Sequence, residues 1–125
     1  MIGDGGNDIL TGGSGLDILT GGTGADRFDF DTLSDSLVGV NRDVISDFSR
    51  AQLDKIDLST LDANTNIIGD QLFTFIGNAA FFAAGQVRYD IATGIIQGNT
   101  DNALTADFEI ALTAVPSLMA ADFIL

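Results

Sequence analysis

A chain of 125 residues, 46% of them hydrophobic, is long enough to fold one domain around a real core and too apolar to stay disordered. Its 18 acidic side chains outnumber 5 basic ones, for a net charge of −13, which argues against nucleic-acid partners because phosphate contacts need Lys and Arg. Without Cys or His there are no disulfides, no thiolate chemistry, no imidazole zinc ligand and no histidine general base. Twelve of the acids fall in the first 62 residues. That excess opposes a compact state through self-repulsion, and bound divalent cations would relieve it.

The first 29 residues read as three nine-residue units: Gly3 to Thr11 (GDGGNDILT), Gly12 to Thr20 (GGSGLDILT) and Gly21 to Asp29 (GGTGADRFD). Asp8, Asp17 and Asp26 hold the sixth position, and Leu10, Leu19 and Phe28 the eighth. The units resemble the G-G-x-G-x-D-x-U-x repeat established for calcium-binding RTX proteins. Six residues make a tight turn, for which glycine is the cheapest residue, and three make a short strand. Strand side chains alternate, so the eighth-position residue points inward. A flexible linker would have no reason to keep a large apolar residue in register with the aspartates. Two units complete one coil, so loops eighteen residues apart stack. Gly3–Asp8 should lie beside Gly21–Asp26, with carbonyls and carboxylates lining the space between, the oxygen shell that Ca²⁺ prefers. The expected ligands along the loops are Gly3, Gly5, Asp8, Gly12, Ser14, Asp17, Gly22, Gly24 and Asp26.

Residues 30 to 38 (FDTLSDSLV) form a degenerate fourth unit without its glycines, with Asp35 sixth and Leu37 eighth. By the same count Asp35 stacks over Asp17, and the two share a second ion. Asp43 to Phe48 alternates like a strand, as does Asp54 to Ser59, with Ile56 and Leu58 inward. Further strands are expected at Leu72 to Ile76, Gln86 to Asp90, Ile95 to Gln97 and Phe108 to Val115. Ala92-Thr93-Gly94 is the hairpin turn, and Pro116 the terminator. Gly77 to Ala84 reads as a turn with one helical turn, and Ser117 to Ala121 as a helical turn capped by Ser117. The longest uncharged run, Gln71 to Val87, is interrupted by Gly77, Asn78, Gly85 and Gln86 and is too short to span a bilayer as a helix. The expected fold is all-β: a right-handed parallel β-roll merging into an antiparallel, sandwich-like C-terminal half. It forms a single domain over 1–125, with the roll at 1–43 and the antiparallel part at 44–125.

Taken together these residues resemble the C-terminal domain of serralysin-type secreted metalloproteases. The likeness runs through the repeats, Asp35-Ser36, Asp43-Val44-Ile45, Asp47-Phe48 and Asp54-Lys55-Ile56-Asp57-Leu58-Ser59. It continues through Phe73-Thr74-Phe75-Ile76-Gly77, Gln86-Val87-Arg88-Tyr89, Ala106-Asp107-Phe108-Glu109-Ile110 and Asp122-Phe123-Ile124-Leu125. The resemblance implies a β-roll with Ca²⁺ between its loops, and Asp35 and Asp43 as further calcium ligands at the end of the roll. It also implies secretion, with an uncleaved type I signal at Asp122–Leu125 and the export machinery as partner. No N-terminal signal peptide is visible, since Met1-Ile2 runs straight into a repeat. A chain that starts there is expected to be a C-terminal module whose catalytic domain lies upstream. The family's H-E-x-x-H zinc helix is absent, so no protease activity carries over. The loop Asn99 to Asp107 has Ala103 and Leu104 where some relatives have acidic, Gly-containing calcium loops. Similar modules occur in secreted lipases and alginate epimerases.

Three function classes remain. The favoured one is a calcium-dependent folding and secretion module, with no membrane insertion. The second is a Ca²⁺-dependent module for an alginate-like polysaccharide. The third, a stand-alone enzyme, would need carboxylate pairs such as Asp29 and Asp31 or Asp54 and Asp57 for acid–base work. Solvation or calcium ligation accounts for those pairs, and no nucleophile elbow or phosphate loop is present.

Overall fold

The computed structural model describes residues 1–125. Ten strands form two sheets. The first five are β1 (Ile9–Leu10), β2 (Ile18–Leu19), β3 (Arg27–Asp29), β4 (Asp43–Ile45) and β5 (Lys55–Asp57). They go alternately to one sheet and the other, which is the winding of a roll. β6 (Thr74–Phe75), β7 (Gln86–Asp90), β8 (Ile95–Asn99) and β9 (Phe108–Leu112) extend the second sheet, and β10 (Phe123–Ile124) returns to the first. The sheets run β1-β3-β5-β10 and β2-β4-β9-β8-β7-β6. No helix is long and apolar enough to cross a membrane.

All-β architecture with a parallel roll is therefore what the structure has. In the second half, antiparallel pairing is limited to β7 with β8 and β8 with β9. The pairs β4–β9, β5–β10 and β6–β7 are parallel, so the roll geometry reaches well past residue 43.

One core lies between the sheets. The eighth-position residues Leu10, Leu19 and Phe28 are 1%, 0% and 0% exposed, as the repeat requires. They join Ile45, Ile56, Leu58, Val87, Ile96, Phe108, Ile110 and Phe123 in a single cluster. Each such side chain, once buried, stabilises the fold by about 1.5–3 kcal/mol. The seventh-position residues Ile9 and Ile18 point out and are exposed, as strand alternation dictates. Phe pairs pack within this core: Phe28 with Phe48, Phe73 with Phe108, and Phe75 with Phe123 at a centroid separation of 4.9 Å.

Leu37, expected inside, is 43% exposed. Residues 30–38 do not form a coil of the roll. Lacking the glycines, the segment closes 3-10 turns at Leu33–Asp35 and Gly39–Asn41 instead. Gly77–Ala84 contains no helix, and the turn near the C-terminus is 3-10, at Ala120–Asp122, with Met119 rather than Ser117 as its cap.

Candidate metal centre

The sixth-position aspartates sit immediately before their strands, and the register therefore stacks them. β1 and β3 pair Ile9 with Arg27 and Leu10 with Phe28, so Asp8 lies over Asp26 as the count of eighteen predicts. Asp8 N–H donates to Asp26 Oδ1 at 2.9 Å across that separation of 18 residues. The same bond recurs from Asp26 N–H to Asp54 Oδ1, 3.0 Å and 28 residues away. In the second sheet Asp17 N–H donates to Asp43 Oδ1, 2.9 Å and 26 residues away.

That last contact corrects the expected pairing of Asp17 with Asp35. β2 pairs with β4, Ile18 with Val44 and Leu19 with Ile45, so Asp43 occupies the place assigned to Asp35. Asp35 instead caps the turn beside it. Its Oδ2 accepts from the Asp31 and Thr32 N–H groups, both at 3.0 Å, and its Oδ1 from Thr32 Oγ1 at 2.8 Å. The signal was present in the sequence as a capping box, Thr32-x-x-Asp35.

The two oxygens of each stacked carboxylate differ. Oδ1 of Asp26 and Asp43 holds the ladder, whereas Oδ2 of Asp8, Asp26 and Asp43 is buried without a hydrogen-bond partner. Asp26 and Asp43 are 1% and 0% exposed. An orphaned buried carboxylate oxygen is costly, and its natural partner in an oxygen-rich loop is a cation. By contrast, both oxygens of Asp54 are engaged, by Asp26 N–H and by Ser49 N–H at 2.9 Å, so Asp54 ends the ladder.

Backbone carbonyls complete the picture. None of the backbone hydrogen bonds between loops ends on the carbonyls of Gly3, Gly5, Gly12, Ser14, Gly22 or Gly24. Gly22 O takes only a long bond of 3.4 Å from Gln52 Nε2. Meanwhile Gly6 N–H to Thr23 O (2.8 Å) and Thr23 N–H to Asp4 O (2.9 Å) hold the first and third loops together, and Gly3 N–H to Thr20 O (2.9 Å) ties the first loop to the end of the second unit. No group of three carboxylates converges on one point. A bound ion would have to draw much of its shell from these free carbonyls, which suits Ca²⁺ with its six to eight oxygens. The residues present thus fit the ion at two places, between the loops of Asp8 and Asp26 and between those of Asp17 and Asp43.

Glycine is required where the loops approach most closely. Gly22 has φ +95°, and a Cβ there would overlap Asp4 O. At Gly3 a Cβ would lie 2.7 Å from both Asp8 Oδ2 and Gly21 O, filling the space beside the carboxylate.

The third loop is braced from behind by a segment that sequence reasoning missed. Asp47 accepts from the Gly21 and Gly22 N–H groups at 2.9 and 2.8 Å, and Gln52 Oε1 accepts from Gly24 N–H at 2.7 Å. Residues 46–54 therefore stand where another repeat would stack, and side chains replace its backbone. Asp47, Gln52 and Asp54 carry no local signal of this role.

The charge distribution agrees. Asp43 is pushed up to about 6 by burial, with the charges of Asp17 and Asp35 adding to it and the Asp17 N–H opposing. Burial likewise raises Asp54, helped by Asp26 and Asp47 and opposed by the N–H groups of Asp26 and Ser49. Asp29 rises through burial and then the charges of Asp31, Asp57 and Asp35, against Arg27. Buried carboxylates held among other carboxylates lack countercharge, and a divalent ion would invert that balance.

Stacked nonapeptide loops whose strands pair in parallel, alternating between two sheets, define a β-roll repeat module. The chain belongs to the family of peptidase M10 serralysin C-terminal domains, whose model matches residues 2–125, as the motifs implied. That family is a non-catalytic C-terminal domain of secreted proteins. Among solved structures the chain is similar to the solution structure of the AlgE6R3 subunit from the Azotobacter vinelandii mannuronan C5-epimerase. The two are 32% identical, with a TM-score of 0.62, over 98% of this chain and 65% of that one. This chain thus spans just under two thirds of that structure's length. No curated protein matches it.

Proposed function

We propose that the chain is a calcium-binding C-terminal module of a secreted enzyme, and that it folds when it meets Ca²⁺ outside the cell. The observation that carries this is the set of buried, unpartnered Oδ2 atoms on Asp8, Asp26 and Asp43. Two ions would bind, one between Asp8 and Asp26 and one between Asp17 and Asp43, with loop carbonyls supplying the rest. When bound, the ion supplies the countercharge that the aspartate ladder lacks. Extracellular calcium modules bind at roughly 10⁻⁴–10⁻³ M, far above resting cytosolic levels, so the loops stay open inside the cell. Outside, binding and folding become one event, because the site does not exist in the unfolded chain. The tail Asp122–Leu125 serves as a type I export signal while unfolded, and a catalytic domain lies upstream.

Calorimetric titration of the calcium-free chain should give two equivalents of Ca²⁺, with the β signal in circular dichroism appearing together with binding. A complete β signal in chelator would overturn the coupling. Removing residues 122–125 should stop export of a fused cargo by a type I exporter, and unimpaired export would remove that role.

A second reading is favoured by the likeness to a subunit of a mannuronan epimerase. In it the calcium-loaded module also holds an acidic polysaccharide for its upstream enzyme.

A further inference from the structure

Arginines are scarce in this chain, and three of the four are ion-paired. Arg27 lies 3.4 Å from Asp57, and Arg42 and Arg50 lie 2.9 Å from Glu109 and Asp122 respectively. Arg88 has no carboxylate within salt-bridge reach, although acids outnumber bases 18 to 5. An unpaired guanidinium in so acidic a chain is the opposite of what chance pairing would produce.

Arg88 is also held in place. Its Nε donates to Ala79 O at 2.8 Å, its Nη1 to Gln97 Oε1 at 2.6 Å and its Nη2 to Asn78 O at 3.3 Å. A guanidinium has five N–H donors; three are engaged here, which leaves one on each terminal nitrogen. Two such donors side by side match the two oxygens of a carboxylate. The cost of ordering the side chain is already met by the protein's own contacts, so a ligand need not supply it.

This guanidinium lines the larger of two pockets, a cavity of about 370 Å³ bounded by Ala80, Phe81, Arg88, Gln97, Leu104 and Thr105, with Ala106 completing the rim. One wall is the alanine-rich segment 78–84. It is fastened to the sheet by Arg88, by Gln86 Oε1 accepting from the Phe82 and Ala83 N–H groups, and by Asn99 Nδ2 donating to Ala83 O. The floor is the outer face of the second sheet, where Arg88, Gln97 and Glu109 form one cross-strand row. Glu109 is neutralised by Arg42 and accepts from Gln97 Nε2 at 2.7 Å, so it leaves the Arg88 charge uncompensated. The pocket lining includes the Phe81 aromatic side chain, the Gln97 amide and the Thr105 hydroxyl. Together these groups suit a polar ring bearing one carboxylate.

We propose that this pocket binds a carboxylated sugar unit, with Arg88 holding the carboxylate, Phe81 facing the ring, and Gln97 and Thr105 meeting its hydroxyls. The proposal deepens the second reading above by giving it a place on the module, far in sequence from the calcium loops, and it rests on that reading for the polymer.

The test is an NMR titration of the calcium-loaded chain with a uronic-acid trisaccharide, its neutral hexose counterpart and acetate. The uronate should move the Gln97 side-chain amide and the backbone signals of residues 79–81 and 104–106, and the neutral sugar should not. R88Q should weaken binding at least tenfold, and R88K should restore part of it, with unchanged circular dichroism certifying both folds. Uronate binding that R88Q leaves intact, or that maps elsewhere, overturns the pocket while sparing the polysaccharide reading. No uronate binding at all overturns both. Equal shifts with acetate overturn the sugar assignment, and equal binding of the neutral sugar overturns the role of Arg88.

Discussion

Replacing Asp26 by Asn separates the two jobs of one carboxylate. Asn retains an Oδ1 that can accept the Asp8 N–H bond of 2.9 Å, and it retains the shape. It removes the charge, putting a neutral Nδ2 in place of the unpartnered Oδ2 beside Gly21, in a residue that is 1% exposed. In chelator, therefore, D26N should be no less folded than the parent, because a neutral amide is cheaper to bury unpaired than a charge. In calcium the order should reverse. At ~10 mM Ca²⁺ and a Kd of about 10⁻⁴ M each ion is present at roughly a hundred times Kd and contributes about 2.7 kcal/mol. The parent gains this twice and D26N once. Thermal unfolding followed by circular dichroism should show the parent ahead in calcium, by about 4 °C for each kcal/mol in a chain of this size. Titration should count one ion for D26N against two for the parent. If D26N gained as much from calcium as the parent, Asp26 would not be a ligand and the two-loop site would be wrong.

Gly22→Ala should cost more than Gly13→Ala. Both residues have positive φ, +95° and +81°, but only Gly22 faces a backbone oxygen, Asp4 O. Strain alone predicts about 1–2 kcal/mol at Gly13, with overlap added at Gly22, measurable by urea unfolding in calcium. Asp43, raised from 3.8 to about 6 in the fold, binds its proton more tightly there than in the unfolded chain. Between about pH 4 and 6 the native state therefore carries the extra proton, and stability of the ion-free form falls as pH rises through that window, by about 3 kcal/mol at most. The residual β signal of the calcium-free parent and D43N across pH 4–7 checks this: any folded fraction should fall with rising pH in the parent and stay flatter in D43N. Phe123→Ala removes a ring that is 7% exposed and packed on Phe75, and should cost about 3–5 kcal/mol by the same unfolding assay.

Local pattern made some of the fold legible and hid the rest. The three loops and their inward residues could be read because glycine, aspartate and leucine recur at fixed spacing, and each unit needs nothing from outside to declare its shape. β7, β8 and β9 could be read from alternation, and the turn at Ala92-Thr93-Gly94 set the register of β7 on β8. The second aspartate stack could not be read by counting eighteen. The chain inserts 3-10 turns between β3 and β4, so the separation grows to 26 between Asp17 and Asp43 and to 28 between Asp26 and Asp54. Which strand completes a parallel sheet is decided by backbone left open at the same level, and no local periodicity records that. Asp47 and Gln52 were invisible for the same reason: they brace a loop far behind them in sequence.

The first sheet is finished by the last residues of the chain. Phe123 pairs with Ile56 and Ile124 with Asp57, Leu58 N–H donates to Ile124 O at 2.8 Å, and Asp122 binds Arg50 in the segment that braces the third loop. Until residues 122–124 dock, the first sheet lacks its fourth strand, the core lacks the Phe123 ring and the segment behind the third loop lacks its contact with Asp122. The strand most distant in sequence from the loops thus sits one strand, β5, away from β3.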